Sequence, residues 1–251
     1  MVCPLFRGVV ILCDAGNGRV LAVIDSMEIT LIRTGAATGV AARHLANKDS
    51  SVVTICGCGN QGRISLKALM HTHPVKQVYA YDADRAIAEN YARDMAASFN
   101  VTVEPVADLH TGARRSDICV TCTPSKKPLL FKNDVREGTF IAAVGADSDD
   151  KVEIDPHLIA SARLIADITE QSAAIGDFHY ALEQGCVGLS HVQAELGDVI
   201  AGKKPGRTLR KEVVVFDSTG TALQDVAAAA IVYEKALAKG IGTSFNFGKP
   251  L

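Results

Sequence analysis

The feature that most restricts the fold of this chain is a glycine-rich loop between a predicted strand and a predicted helix. Val52–Cys56 is a short apolar run that leads directly into the loop and then into a helical pattern. With glycines at this spacing, the first permits a tight turn, the second lets a pyrophosphate approach the backbone, and the third lets the helix pack close to the strand. The alternative is an ordinary glycine-rich turn. We predict a dinucleotide site whose contacts in this loop are Gly57, Gly59, Asn60, Gln61 and Gly62.

An acidic residue follows the next predicted strand. Asp82 comes directly after Gln77–Tyr81 and 20 positions after Gly62. A carboxylate at this place accepts hydrogen bonds from the adenosine ribose and repels a 2′-phosphate. The sequence therefore favours NAD over NADP, a preference that Arg85, also counted as a cofactor contact, weakens slightly. The alternative role for Asp82 is a helix N-cap, and the two roles are compatible.

Strands and helices alternate from Ser51 onward, and the apolar runs are too continuous for a sheet with one wet face. This pattern predicts an α/β fold with a Rossmann-type, doubly wound parallel sheet over residues 47–211. Residues 1–46 contain two predicted strands, from Phe6 and from Val20, and a helix. Residues 212–251 end in a long predicted helix that could return to those strands, so both chain ends are predicted to form a partial second α+β domain. We also predict a helix near residues 192–201.

Composition excludes several classes of protein. The 251 residues include 26 Lys and Arg and 28 Asp and Glu, which gives a net charge of −2 and argues against nucleic-acid or anionic membrane partners. The sequence contains no apolar run long enough to predict a transmembrane helix. Most of the seven cysteines lie in apolar, strand-like runs, which is typical of a reducing compartment and predicts a cytoplasmic protein. We interpret Cys119 and Cys122 as structural rather than redox or metal-binding residues, and we predict no metal site.

Three later segments follow predicted strands and should meet a cofactor at the carboxyl edge of the sheet. Hydroxyl residues there would line the ribose and the nicotinamide, although a simple turn or cap explains each segment as well. The expected contacts are Thr121, Thr123, Pro124, Ser125, Gly145, Asp147, Ser218 and Thr219.

Two charged residues are the candidates for chemistry. Asp147 ends the Val144–Asp147 segment, where a carboxylate would meet a substrate beside the nicotinamide and act as a general base. The alternative is a turn residue in an acidic run. Arg33 lies in a helix of small residues and could present its guanidinium to a substrate carboxylate, or it could be a surface residue.

Together these segments resemble the ornithine cyclodeaminase/mu-crystallin family, and most closely its archaeal-type alanine dehydrogenase branch. The resemblance extends from about Val9 to the C-terminus. The segments that carry it are Ile29-Thr30, Arg33–Ala37, Gly57–Gly62, Thr121–Ser125, Val144–Asp147 with Lys151 and Glu153, Glu195–Gly197 with Gly202 and Pro205–Arg207, and Phe216–Gly220 with Leu223–Val226.

The resemblance implies a homodimer in which a Rossmann domain is flanked by a dimerisation domain made from both chain ends. It also implies hydride transfer from the Cα of a small amino acid to NAD, with Asp147 as the catalytic carboxylate and Arg33 on the substrate carboxylate. The resulting imine is hydrolysed in alanine dehydrogenases, is attacked by the side-chain amine in ornithine cyclodeaminases, and is the substrate reduced in ketimine reductases.

The chain departs from the family pattern at its start. Met1 falls where a preceding segment of the family should already have ended. That segment supplies strands of the dimer domain and an Arg and a Lys of the substrate site, so we expect the second domain to be incomplete. Three functions remain open: an amino-acid dehydrogenase, an ornithine cyclodeaminase, and a non-catalytic NAD-binding relative.

Overall fold

Strands and helices alternate along most of the chain in the computed structural model, which describes residues 8–245. The first two residues of the predicted strand from Phe6 lie outside the described residues. The strands are β1 (Val9–Cys13), β2 (Val20–Asp25), β3 (Val52–Cys56), β4 (Gln77–Tyr81), β5 (Thr102–Pro105), β6 (Ile118–Thr121), β7 (Lys126–Leu130), β8 (Phe140–Ala143), β9 (Val152–Ile154), β10 (Arg163–Ala166), β11 (Val192–Glu195) and β12 (Val214–Asp217). The helices are α1 (Ser26–Leu45), α2 (Asn60–Met70), α3 (Arg85–Phe99), α4 (Leu109–Ala113), α5 (Pro156–Ser161), α6 (Thr169–Ile175), α7 (Asp177–Glu183), α8 (Leu196–Ile200) and α9 (Ala222–Ala238).

Eight strands form one parallel sheet in the order β11-β10-β12-β8-β6-β3-β4-β5. From β3 the chain moves outward through β4 and β5, and it then returns to place β6 on the other side of β3. Ligands of such sheets bind outside the carboxyl ends of the strands, at the point where the strand order reverses. The prediction of a doubly wound parallel sheet is confirmed, and it directs attention to the ends of β3 and β6.

The central strands are buried on both faces. In β6, Ile118 and Val120 belong to one hydrophobic cluster and Cys119 belongs to another. In β8, Phe140 and Ile141 divide between the same two clusters. Because successive side chains of a strand point to opposite faces, one cluster lies on each face of the sheet. This explains why the strand sequences are continuous apolar runs rather than alternating ones.

The helix predicted near residues 192–201 is wrong in its first half. Val192–Glu195 is the strand β11, which pairs with β10, and only Leu196–Ile200 is helical. Apolar residues at positions 192, 194, 196 and 199 suit a strand start as well as a helix, so pairing with β10 decides the outcome. The structure also contains short elements that we did not predict, namely α4, α6, α7 and the two-stranded parallel pair of β7 and β9.

The described residues divide into two compact units. One takes in the residues up to Arg33 and from Ala222 onward, and it contains the antiparallel pair of β1 and β2, the start of α1, and α9. The other is Thr34–Thr221 and contains the eight-stranded sheet. These limits differ from the predicted ones because the second half of α1 joins the core and β12 pairs with β8 and β10. Two roles stay predictions: NAD binding by the unit that contains the sheet, and dimerisation by the unit made from the chain ends.

Candidate functional site

The loop after β3 has the backbone geometry of a tight turn. Gly57 has a φ of +101°, which glycine adopts freely, and a Cβ there would lie 2.7 Å from the carbonyl oxygen of Cys122. A Cβ at Gly62 would collide with the carbonyl oxygen of Gly57, so a glycine lets α2 begin directly against β3. At Gly59, by contrast, a Cβ would meet nothing within 4 Å. The fold itself therefore requires the first and third glycines, whereas Gly59 borders open space.

The start of α2 suits the phosphates of a dinucleotide. The helix follows Gly59, and no side chain caps its first N–H groups. Such N–H groups, together with the helix dipole, attract an anion. Asn60 is exposed at this end, and the buried Nε2 of Gln61 has no hydrogen-bond partner among residues 8–245. An uncapped helix start beside a glycine that faces open space fits a bound pyrophosphate.

Asp82 is held by the glycine loop rather than by the helix that follows it. Its Oδ2 accepts a hydrogen bond from the N–H of Cys58 at 2.9 Å, and its Oδ1 accepts one from the N–H of Asp84 at 3.0 Å. The N-cap of α3 is Asp84, which accepts from the N–H of Ala86, so the capping alternative for Asp82 is wrong. The carboxylate is thus fixed beside the loop, where a ribose hydroxyl could reach it.

Arg85 is directed along its own helix. Its Nε lies 2.8 Å from Glu89 Oε1, and its side chain is 80% exposed. Its predicted contact with the cofactor stays a prediction.

The residues after β6 use their hydroxyl groups within the protein. Thr121 is buried at the end of the strand. Thr123 Oγ1 donates to Glu153 Oε1 at 2.7 Å, and Ser125 Oγ donates to the carbonyl oxygen of Lys127 at 2.7 Å. Any contact that Thr123 or Ser125 makes with a cofactor would therefore accompany or replace existing hydrogen bonds.

The ends of β3 and β6 touch each other through Cys122. Its Sγ donates to the carbonyl oxygens of Cys56 at 3.3 Å and Gly57 at 3.1 Å. Burial raises the pKa of this thiol well above its usual range, so it stays protonated, as expected for a structural cysteine. Pro124, the next predicted contact, is exposed.

Asp147 lies beyond the end of β8 and pairs with a lysine of the same loop. Lys151 Nζ lies 2.5 Å from Asp147 Oδ1, and the two side chains are 21% and 47% exposed. The carboxylate is therefore open at the edge of the sheet and has an ammonium beside it. The residues alone had identified Asp147, whereas Lys151 was noted only as part of the family likeness.

Ser218 and Thr219 follow β12 and are buried. Thr219 Oγ1 donates to Asp167 Oδ1 at 2.9 Å. Ser218 Oγ is a buried polar atom without a hydrogen-bond partner among the described residues. Buried hydroxyls are rarely unpaired, so Ser218 is the better of the two to bond a ligand.

Arg33 belongs to the unit made from the two chain ends, and there it contacts α9. Its Nε lies 3.0 Å from Asp225 Oδ1, and its Nη1 donates to Gln224 Oε1 at 3.3 Å. The side chain is only 15% exposed. Arg33 is therefore a fixed, half-buried guanidinium and not a surface residue.

Sequence reasoning assigned no role to a set of buried acids, which we call the carboxylate chain: Glu153, Asp177 and Asp217. Backbone N–H groups link the three in order, because Asp217 Oδ1 accepts from the N–H of Asp177 at 3.2 Å, and Asp177 Oδ1 accepts from the N–H of Glu153 at 2.6 Å. All three residues have no exposed surface.

Glu153 connects the carboxylate chain to the loops after β6 and β8. Its Oε1 accepts from the N–H of Thr123 at 2.6 Å, and its Oε2 accepts from the N–H of Gly145 at 3.1 Å. A Cβ at Gly145 would collide with the Glu153 carboxylate, so only glycine permits this approach. An acid between Val152 and Ile154 on a short buried strand is the sequence signal that could have revealed it.

Burial is the main electrostatic influence on these acids. It raises the pKa of Glu153 to about 8, and the neighbouring Asp177 adds to the rise. Burial likewise raises the pKa of Asp177 and of Asp217. Groups perturbed in this way cluster at functional sites, although structural networks also produce them.

Comparison with known proteins identifies the family. The family model of the ornithine cyclodeaminase/mu-crystallin family matches residues 2–240. The chain belongs to this family. One relative is the alanine dehydrogenase of Archaeoglobus fulgidus, which is 40% identical over 247 residues, a stretch that covers 97% of this chain and 75% of that protein.

Solved structures of family members have the same fold. An archaeal alanine dehydrogenase dimer with bound NAD superposes with a TM-score of 0.94 at 38% identity, covering 98% of this chain and 76% of that one. The Δ1-pyrroline-2-carboxylate reductase of Thermococcus litoralis, in complex with NADH and L-proline, superposes with a TM-score of 0.92 at 32% identity. That match covers 95% of this chain and 74% of the other.

The described residues contain neither a cluster of metal-binding side chains nor a membrane-spanning helix. Within residues 8–245, no group of three or more His, Cys, Asp or Glu side chains is arranged to hold a metal ion. No helix in the same range is long and apolar enough to span a bilayer.

Proposed function

We propose that this chain is an NAD-dependent oxidoreductase that acts on the Cα–N bond of a small L-amino acid or of the corresponding imine. The observation that carries the proposal is the contact of three loops at one edge of the sheet. The Gly57 turn meets Cys122, and the segment after Cys122 meets Gly145 two residues before Asp147. A phosphate cradle and a half-exposed carboxylate thus belong to adjoining loops.

The cofactor assignment rests on residues that fit it. The uncapped start of α2 and the open side of Gly59 suit the pyrophosphate, and the fixed carboxylate of Asp82 suits a ribose without a 2′-phosphate. NAD and NADH are bound in solved structures of relatives. When bound, the cofactor supplies the acceptor or donor of a hydride.

In the oxidative direction, hydride leaves the Cα, and the amino group becomes an imine with loss of a proton. Asp147 would accept a proton from the substrate ammonium or from the water that attacks the imine. Lys151, at 2.5 Å, would keep the carboxylate oriented when no substrate is present. The similarity to alanine dehydrogenase favours hydrolysis of the imine to a keto acid and ammonia over cyclisation.

Arg33 is the proposed site for the substrate carboxylate. Arginine can form a two-pronged hydrogen-bonded pair with a carboxylate, and Asp225 already accepts one hydrogen bond from the Nε of this guanidinium. Binding of a substrate would exploit the donors that Asp225 and Gln224 leave available, or it would compete with them.

We further propose a cytoplasmic homodimer. The free state of all the described cysteines agrees with a reducing compartment. The solved dimer of the archaeal alanine dehydrogenase supports the oligomeric state. The unit made from the chain ends exposes large apolar side chains on β1, β2 and α9, among them Ile11, Val23 and Leu237, and such surfaces mark protein contacts.

A product assay tests the proposed reaction. The purified protein is incubated with NAD and either L-alanine or L-ornithine, and absorbance of NADH is followed while pyruvate, proline and ammonia are measured. Formation of NADH with pyruvate is the expected result. Proline without net NADH would identify a cyclodeaminase instead. Tight NAD binding with neither product, also with L-lysine and L-proline as substrates, would identify a binding protein and overturn the proposal.

A further inference from the structure

The carboxylate chain has no cationic partner among the residues that the structure describes. The ion pairs formed by residues 8–245 include none of Glu153, Asp177 and Asp217. Buried acids are normally paired or neutral, because an isolated buried charge is strongly disfavoured. A positive charge that binds beside the carboxylate chain would therefore be next to acidic groups that form no ion pair.

The titratable groups that face Glu153 are acids and thiols. Asp177 approaches from α7, and the thiols of Cys56 and Cys122 approach from the ends of β3 and β6. The nearest charged pair along the chain is Asp147 with Lys151, whose opposite charges largely cancel. None of these groups compensates a negative charge on Glu153.

The hydrogen bonds of Glu153 suit its ionised form. The N–H groups of Thr123 and Gly145 can only donate, and the Thr123 hydroxyl donates to the same carboxylate. Burial acts in the opposite direction and raises the pKa to about 8. Glu153 is therefore protonated at neutral pH but requires only a modest electrostatic change to ionise.

We propose that Glu153 makes the cofactor site prefer the oxidised over the reduced nicotinamide, by ionising when the positively charged ring binds. The inference rests on the proposed function, which puts the nicotinamide at the loops that Glu153 holds. The ring of NAD+ carries a positive charge and that of NADH does not, and a charge difference of this kind acts strongly where water is excluded. Glu153 is a specificity-determining residue in this account, and it acts through charge rather than through contact.

Proton linkage predicts how the Kd for each cofactor changes with pH. Because NAD+ favours the ionised carboxylate, its binding releases a proton, and its Kd falls as pH rises. Between pH 7 and pH 9 the Kd for NAD+ should fall by about tenfold, since one proton is released near a pKa of 8. The Kd for NADH should change by less than about twofold over the same range, because the neutral ring leaves the pKa of Glu153 unchanged and its binding releases no proton.

Calorimetry on the unaltered protein tests this directly. NAD+ and NADH are titrated separately at pH 7.5 in two buffers of different ionisation enthalpy, which gives the number of protons released on binding. We expect proton release with NAD+ and close to none with NADH. Equal proton release with both cofactors would overturn the inference while leaving the proposed function intact. Failure of both cofactors to bind would instead overturn the proposed function.

Two variants assign the proton to a residue. Glu153→Gln should abolish the pH dependence of NAD+ binding and lower the preference for NAD+ over NADH at pH 9 by about tenfold. Glu183→Gln is the matched control, because it removes an exposed carboxylate from α7, the helix that carries Asp177, and should leave both unchanged. A folded Glu153→Gln protein that keeps the full pH dependence would contradict the assignment. If circular dichroism shows that this variant does not fold, the buffer comparison on the unaltered protein decides alone.

Discussion

The two halves of the candidate site are built in different ways. The half proposed for the phosphates, which we call the phosphate half, consists of β3, α2 and β4 and relies on glycines and backbone N–H groups that are close together in sequence. The half proposed for the nicotinamide, which we call the nicotinamide half, lies at the ends of β6, β8 and β12. It relies on buried carboxylates that come from residues 153–217 and hold loops of other elements. The first half is a local motif, whereas the second exists only after the chain has folded.

The two halves place different demands on the stability of the fold. The phosphate half must leave space and N–H donors for an anion, which lowers stability little because loop glycines have no side chains that require partners. The nicotinamide half must keep acids dry and correctly bonded, which lowers stability unless every N–H donor is in place. Substitutions in the phosphate half should therefore impair cofactor binding, and substitutions in the nicotinamide half should impair catalysis or folding.

The largest effect is expected at Asp147. Asp147→Asn keeps the shape of the side chain but removes its capacity to accept a proton, so kcat should fall by a factor on the order of 10² to 10⁴. NAD binding should stay within about twofold, since the phosphate half is untouched. Steady-state kinetics and cofactor titration measure the two effects.

Asp149→Asn is the control for that substitution, because it neutralises another exposed carboxylate of the same acidic run. Comparable losses of kcat in both variants would show that general charge, and not a base at position 147, matters.

The glycines of the phosphate half should separate binding from stability. Gly59→Ala puts a methyl group into open space on the cofactor side, so NAD affinity should fall by about tenfold or more while Tm stays unchanged. Gly62→Ala forces a methyl group against the carbonyl oxygen of Gly57, so it should also lower stability by about 1–3 kcal/mol. Thermal unfolding and NAD titration of both proteins provide the test, and an unchanged affinity in Gly59→Ala would argue against the pyrophosphate cradle.

Asp82 should set the choice between NAD and NADP. Asp82→Ser removes the charge that repels a 2′-phosphate and should improve relative binding of NADP by about tenfold, equivalent to roughly 1.4 kcal/mol. Asp84→Ser is a useful comparison because serine can still cap α3, and that residue does not contact the glycine loop through its side chain. An equally large change in selectivity in Asp84→Ser would show that Asp82 does not specifically determine the choice between NAD and NADP.

The smallest expected effect is a slope of stability with pH. In the folded protein the pKa values of Glu153, Asp177 and Asp217 are raised by burial. The folded chain therefore binds more protons than the unfolded chain between about pH 4.5 and pH 8, and the free energy of unfolding falls as pH rises through that range. Without cofactor, Tm should be lower at pH 8 than at pH 5.5, by at least the few degrees that correspond to about 1 kcal/mol.

Glu153→Gln should flatten that slope, provided that it folds. A Tm that rises between pH 5.5 and pH 8 in the unaltered protein would show that the buried acids are not neutral at low pH. Circular dichroism at a series of pH values is sufficient for both proteins.

The same contrast explains how much could be predicted from the sequence. The parallel sheet and the glycine loop were predictable because their signals are local: an apolar run, three glycines and Asp82 lie within about thirty residues. Helix α3 was predicted too, although its cap is Asp84 and not Asp82. For Asp147 and Arg33, the residue pattern left the role open. The family resemblance implied that Asp147 is the catalytic carboxylate and that Arg33 binds the substrate carboxylate.

The carboxylate chain could not be predicted in this way. Asp177 begins a seven-residue helix, and Asp217 ends a strand, so each has an ordinary local explanation as a cap or turn residue. Only the pairing of β12 with β8 brings Asp217 near the loops after β6 and β8. Likewise, residues 192–201 were misread because a sheet partner, and not the local pattern, made Val192–Glu195 a strand.

Transfer of a hydride from the substrate Cα is the central claim, and an isotope label tests it most directly. The protein is incubated with NAD and L-alanine deuterated at Cα, or with ornithine labelled at the same position, and the nicotinamide is analysed by mass spectrometry or NMR. We expect deuterium at C4 of the nicotinamide, in net NADH for a dehydrogenase and by exchange for a cyclodeaminase. Bound NAD that never acquires deuterium from any labelled amino acid would contradict the account.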